Sequence, residues 1–220
     1  MTTRSIRRGF SLVELLVVIG IIAVLISLLL PSLNKAKRQA NSLQCKSNMR
    51  QVGVQLSLYA SQNRGFLYPV GPIDPVTREY GTLGSQLPRD QRWPVYVFKP
   101  ARWDPPELIC PEDLDAAEKH SYVLNKHLAK DPRELVKYSS RLPNGRPPTE
   151  VVVMGEKVTL EEDYYMEEGD YLRLVERYRH GLRSGSNYLY MDGHVDTDDP
   201  ERVSRNLDPW EIVRAPQTQP

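Results

Sequence analysis

The sequence predicts an α+β protein: one long N-terminal helix, with a transmembrane half and an amphipathic half, packed on a small antiparallel β-sheet head. Three observations lead to this. Residues 10–30, FSLVELLVVIGIIAVLISLLL, form an apolar run whose one charge is Glu14. Helical apolar spacing continues beyond that run to about residue 62. Short β-type runs and turn residues follow, in a chain with 18 prolines.

Averages alone would hide this. The 220 residues are 40% hydrophobic and 26% charged, with a formal net charge of +1. That excludes a collagen, a disulfide-dense toxin and a polytopic membrane protein. It offers no basic excess for a nucleic-acid partner. The charges are unevenly placed. Arg4, Arg7 and Arg8 precede the apolar run. Between Leu15 and Ile73 there is no acid, but Lys35, Lys37, Arg38, Lys46, Arg50 and Arg64 are basic. From Asp74 onward, 27 acidic residues stand against 20 basic ones, a balance of −7. A basic stem thus precedes an acidic head.

As a helix, residues 10–30 span roughly 30 Å, the thickness of a bilayer core. They are apolar all round, with no polar face to turn to water. The run is too long for the apolar region of a secretory signal, and no small-residue cleavage site follows it, so a retained anchor is expected. Basic residues on both sides orient the anchor only weakly. The short leader favours an N-terminus inside, with the polar remainder on the other side.

Pro31 lacks an N–H and its ring crowds the preceding turn, so a bend or local loosening is expected there. Beyond it, Leu33, Ala36, Ala40 and Leu43 form one helical stripe. Cys45, Met49, Val52, Leu56 and Tyr59 form a second, offset from the first, so the buried face rotates near Leu43. The second stripe reads as a core face against the head. Gly65 is a candidate left-handed cap. Residues 66–150 show little periodicity. Trp93–Phe98 and Glu107–Cys110 are short strand or packing segments, Asp113–Lys119 one or two helical turns, and Pro143–Pro148 a turn. Val151–Met154 is a buried strand, and Glu167–Asp170 a loop. Asp192-Gly193, flanked by alternating residues, predicts a two-residue hairpin between Tyr188–Met191 and His194–Thr197.

Arg8-Gly9-Phe10-Ser11-Leu12-Val13-Glu14-Leu15-Leu16 resembles the class III signal of type IV pilins and type II secretion pseudopilins. The resemblance implies cleavage between Gly9 and Phe10 by a prepilin peptidase/N-methyltransferase, and N-methylation of Phe10. Gly9 leaves the scissile backbone open to close approach. The cut precedes the apolar run, so the anchor survives it. Glu14 becomes the fifth mature residue. A carboxylate in hydrocarbon costs about 2.5–3.5 kcal/mol at mid-bilayer, so it needs a partner. The family supplies one, the amine of Phe10 on the same or a neighbouring subunit, which would set axial register. Pro31 falls where family members commonly carry a helix-loosening proline.

The resemblance divides the chain into a leader (1–9), a transmembrane helix (10–30), an amphipathic stem (31–64) and a head (65–220). It implies a pilin-like fold in the bacterial inner membrane, single-pass, N-terminus cytoplasmic, with the head periplasmic or, after assembly, extracellular. The implied partners are other pilin-like subunits and an inner-membrane secretion or pilus assembly platform.

A bacterial subfamily of pseudopilin-like proteins is resembled as well. Its C-x-N-N-L-x-Q-x-G-x-A pattern, then Tyr, Gly and Pro, is matched by Cys45, Asn48, Met49, Gln51, Gly53, Tyr59, Gly65 and Pro69, with Ser47 departing from the first Asn. Its Cys-Pro and Ser-Tyr-x-x-Asn are matched by Cys110-Pro111 and Ser121-Tyr122-Val123-Leu124-Asn125. Cys45 and Cys110 could pair in an exported head or stay as two buried thiols; their match to subfamily positions favours the pair.

The subfamily's C-terminal signature has a His nine residues before Asp-Gly. Here His180 is followed by eleven residues, 181–191, then Asp192-Gly193-His194, with Asn187 between. His180, Asp192, His194 and Asp196 are candidate metal ligands. Zinc would need three or four converging donors, and calcium more oxygens, from Asp196, Asp198 and Asp199. The simpler reading is a hairpin with a hydrogen-bonded His and no cofactor. Gly181–Gly185 lacks the spacing and the Lys-Ser/Thr of a phosphate loop, and neither a zinc-protease helix motif nor a nucleophile elbow occurs. No catalytic residue and no enzyme activity are expected. The expectation is a prepilin-like filament subunit. The alternatives are a membrane-anchored binding module that does not polymerise, and an anchored metalloenzyme using His180, Asp192 and His194.

Overall fold

The computed structural model describes residues 12–67, 70–73, 80–82, 84–128, 147–166, 170–181 and 185–198. Gly9, Phe10, Pro69, the turn residues 143–146, loop residues 167–169 and Asp199 lie outside these.

The first element, α1, is one helix from Leu12 to Gln62, 51 residues long. Its helical conformation continues through Pro31, so the expected loosening does not interrupt it. Pro31 offers no N–H to the carbonyl one turn before it. On either side, the hydroxyls of Ser27 and Ser32 donate to Val24 O (2.7 Å) and Leu29 O (2.8 Å).

The chain divides into two compact units, residues 1–40 and 41–220, with the boundary inside α1. In the first unit every described residue is exposed, its large aliphatic side chains included. Leu33, Ala36, Ala40 and Leu43 are exposed too, so the first expected stripe buries nothing in this chain.

In the second unit α1 behaves differently. Cys45, Asn48, Met49, Val52, Gly53, Leu56 and Ala60 are buried, the helical spacing of a single face. The helix ends where Gly65 takes a φ of 91° and its N–H donates to Ala60 O at 2.9 Å. The left-handed turn satisfies a terminal carbonyl that no further helix would reach.

Two sheets follow. β1 (Val70–Ile73) pairs antiparallel with β2 (Tyr80–Thr82), in a stretch where the sequence shows no periodicity. The main sheet comprises β3 (Tyr122–Asn125), β4 (Val152–Glu156), β5 (Tyr165–Met166), β6 (Ser186–Tyr190) and β7 (Val195–Asp198), in the order β5-β3-β4-β6-β7. It is mixed rather than purely antiparallel, because β5 runs parallel to β3, with Leu124 opposite Tyr165. Strand alternation sorts β6 between two apolar clusters. Leu189 joins Met49, Val52 and Leu56 of α1, while Tyr188 and Tyr190 join Val123, Leu174 and Val175 on the other face.

Two segments take other shapes than strands. Trp93–Val97 is a short helix, α2, with Pro94 in its first turn and Trp93 and Val97 buried one turn apart. Pro106–Leu108 is a 3-10 turn. Proline at each start removes the N–H a ladder needs and presets helical φ. Tyr171–Leu174 forms α3.

The hairpin has one residue more in its loop than expected. Leu189 pairs with Val195 and Tyr188 with Asp196, and Tyr190 N donates to His194 O at 2.9 Å. Residues 191–193 form the loop, and Gly193 N donates to Tyr190 O at 2.9 Å. A two-residue type I′ turn needs positive φ at both centres. Only Gly193 has it, at 90°. Asp192 stays in the ordinary region and its carboxylate accepts the His194 N–H at 3.0 Å. A type I turn closed by a left-handed Gly results.

Candidate functional site

Two regions are candidates: the N-terminal run, and a buried centre in the head. In the run, Glu14 lies in the first turn of α1 and is exposed, and Pro31 lies well inside the helix. α1 is the one described helix long and apolar enough to cross a membrane.

In the head, residues from distant parts of the sequence converge. Cys45 of α1 and Cys110 are joined by a disulfide, their Cα atoms 5.0 Å apart. The surrounding contacts tie the same two segments. Asn41 donates to a carboxylate oxygen of Glu112, and Asn48 Nδ2 donates to Ile109 O at 2.9 Å. Gln44 Nε2 donates to Asn48 Oδ1 at 2.8 Å and so orients that amide. Ser121 holds Cys110 from the other side, its hydroxyl accepting the Cys110 N–H at 3.0 Å.

Beside the disulfide lies the fully buried Glu156, at the end of β4. One carboxylate oxygen contacts His180 Nε2 at 2.7 Å, and the other accepts the Asn187 N–H at 3.0 Å. Asn187 Nδ2 donates to the first oxygen at 3.3 Å, while Asn187 Oδ1 accepts from Thr197 Oγ1 at 2.9 Å. A buried carboxylate requires several such donors. His180 Nε2 also approaches Cys110 Sγ at 3.9 Å. Close by, Arg179 pairs with Asp113 at 3.4 Å, both side chains almost wholly buried, and also donates to Lys157 O and to Thr159 Oγ1. Lys157 is buried as well, its ammonium donating to Ala117 O and Glu161 O. Burial pushes its pKa down to about 8.

His120 stacks on Tyr164, ring centroids 3.7 Å apart, with its nitrogens against Tyr122 O (3.1 Å) and Glu162 O (3.3 Å). Burial holds its pKa well below the usual imidazole range, and the Lys157 charge adds to this, outweighing the two carbonyls. Arg92 crosses to Glu118 at 2.7 Å, and that bond draws the Glu118 carboxyl below its ordinary value.

The C-terminal candidates separate. His180 belongs to the buried centre. Asp192 and His194 form an exposed pair at the hairpin tip, 2.5 Å apart, with the His194 ring stacked on Tyr190. Asp196 faces Lys46 at 3.9 Å. The reason is topological: the five residues of β6, roughly 17 Å of extended chain, separate His180 from the hairpin tip. Among the described residues, the His, Cys, Asp and Glu side chains whose donor atoms converge are Cys45, Cys110, Glu156 and His180. Asp192, His194 and Asp196 are not in that group. Glu156, Lys157, Asp113 and Arg179 carry no sequence signal, except that Glu156 and Lys157 directly follow the VVVMG run.

Of the resembled motif residues, Cys45, Asn48, Met49, Gly53, Cys110, Ser121, Tyr122 and Asn125 are buried. Gly53 admits Leu189: a Cβ there would lie 3.0 Å from Leu189 Cδ1. Asn125 Nδ2 donates to Val152 O at 2.9 Å, tying β3 to β4. Both residues are buried and hold segments together.

The family comparison bears on the N-terminal run. The model of the prokaryotic N-terminal methylation motif matches residues 4–30. That motif is the N-terminal signal of type IV pilins and pseudopilins, and its match supports a pilin-like reading of this run. The match covers the apolar run and the residues just before it, and α1 with the small mixed sheet is consistent with the α+β pilin-like fold. The motif precedes and overlaps a helix long and apolar enough to cross a membrane, the combination expected of an anchored protein with a prepilin-type N-terminus. Pilin-like proteins are generally structural rather than enzymatic. Neither a curated protein nor a solved structure matches the chain.

Proposed function

We propose that this pilin-like protein is a structural subunit of a type II secretion or type IV pilus-like filament. The observation that carries the reading is the methylation motif at residues 4–30, which runs directly into the apolar part of α1. Prepilin peptidase cuts between Gly9 and Phe10 and methylates the new amine. The N-terminal part of α1 anchors the subunit in the inner membrane until an assembly platform transfers it to the filament. Its exposed aliphatic residues have lipid as their first solvent and neighbouring subunits as their second. Glu14 meets the Phe10 amine and sets axial register. The head, braced by the Cys45–Cys110 bond, presents the filament's outer surface.

Processing is tested with Gly9→Lys, compared with wild type by gel mobility and by mass spectrometry of the N-terminus. Wild type should begin at N-methyl-Phe10 and the variant should keep its leader. Equal, uncleaved lengths would overturn the assignment. Glu14→Ala separates a filament subunit from an anchored module: cleavage should persist while incorporation into filaments falls.

A further inference from the structure

We propose that the head contains a latent zinc site, formed by Cys45, Cys110, His180 and Glu156 when the Cys45–Cys110 bond is reduced. The donor atoms of these four residues all lie within 4.8 Å of one another, and all four residues are buried. Zinc takes thiolate sulfur at about 2.3 Å and imidazole nitrogen or carboxylate oxygen at about 2.0–2.2 Å, tetrahedrally, which places ligand atoms roughly 3.2–3.8 Å apart. His180 Nε2 is already 3.9 Å from Cys110 Sγ. His180 Nε2 and Glu156 Oε1, at 2.7 Å, need to open by about half an ångström. Two soft sulfurs, one imidazole and one carboxylate in a closed set of four is a donor set suited to zinc rather than to calcium or magnesium.

Supporting contacts are present for Glu156 and Cys110. Asn187 fixes the Glu156 carboxylate with its backbone N–H and its amide, and Ser121 Oγ accepts the Cys110 N–H. Such outer contacts orient metal ligands. Charge is conserved as well. A dithiol reductant delivers two electrons and two protons; the S–S bond breaks, two thiols form, and the reductant leaves as its own disulfide. Zn2+ then displaces both thiol protons, and the proton between His180 Nε2 and Glu156 Oε1 shifts to His180 Nδ1, so that the neutral imidazole binds through Nε2. The neutral disulfide is replaced by a neutral zinc–dithiolate unit. The surrounding balance of Asp113 and Glu156 against Arg179 and Lys157 is unchanged. Zinc would thus provide, whenever the bond is reduced, the crosslink that the disulfide provides when closed. The inference is independent of the filament reading.

The test uses the full chain in detergent, with Co2+ as a spectroscopic probe and a phosphine as reductant, itself oxidised to the phosphine oxide with oxygen from water. Reduced wild type should bind one equivalent of Co2+, with a thiolate-to-metal charge-transfer band and intense tetrahedral visible bands that one equivalent of Zn2+ abolishes. Oxidised wild type should show neither band. His180→Gln and Glu156→Gln should each weaken Co2+ binding at least tenfold in the reduced protein. Absence of these bands from reduced wild type would overturn the proposal. Wild-type affinity in either variant would also overturn it, leaving a dithiol site without that ligand.

Discussion

Removing the Cys45–Cys110 bond gives the sharpest stability test of the head. The two residues are 65 apart in sequence, so the bond closes a long loop in the unfolded chain. In the chain-entropy account that closure is worth about 4.3 kcal/mol at 25 °C. For a unit of this size, each kcal/mol moves the melting temperature by roughly 2–4 °C. Cys45→Ala/Cys110→Ala should therefore melt about 10 °C below oxidised wild type. The assay is the thermal unfolding of detergent-solubilised full chain, followed by circular dichroism under non-reducing conditions. Reduced, metal-free wild type should melt near the variant, which separates loss of the crosslink from loss of sulfur packing. Two free thiols in native wild type would refute the reasoning. So would coincident melting curves for oxidised wild type and the double variant.

Two further outcomes follow from the packing and the buried ring. At Gly53, the helical gain from Ala, about 1 kcal/mol, is set against crowding of Leu189, so Gly53→Ala should be within about 1 kcal/mol of wild type, whereas Gly53→Leu should lose about 1–3 kcal/mol in denaturant titrations. Unchanged stability in Gly53→Leu would contradict the close approach. At His120 the folded state resists protonation, so between the depressed folded pKa and about 6.5 the unfolded chain binds more protons and stability rises with pH. Lowering the pH from 7.5 to 5.5 should therefore cost wild type more stability than it costs His120→Gln, and equal losses would show that the fold does not depress the ring's pKa.

Periodic features were legible in the sequence. The apolar run, the Cys45–Leu56 face, the Gly65 cap and the Val152–Glu156 strand each declare themselves within one or two turns of chain. Features decided by distant partners were not. The parallel pairing of β5 involves two residues whose partner strand lies about forty positions earlier, and no local pattern encodes it. Trp93–Val97 carries strand-forming residues, but Pro94 makes it a helix start. The hairpin was recognisable from Asp192-Gly193, while its loop length turned on one side-chain bond from Asp192. His180 was visible as a candidate, yet its partner Glu156 looks like an ordinary surface acid until β4 is paired with β6. Buried ions are seldom legible, because their residue types are those of the surface and only the fold brings their counter-charges.

The placement of the unit boundary inside α1 has a mechanical consequence. Within the second unit, tension along α1 is met first by the turn from Asn41 to Cys45. The first covalent stop is Cys45, which shares the load with the segment at Cys110 before any turn of the buried face has to be peeled away. With the bond closed, pulling would have to break hydrogen-bonded structure on both segments at once. With it open, α1 could unzip one turn at a time from residue 41 toward Ala60. Single-molecule force measurements would read the difference as the loss of one sharp rupture.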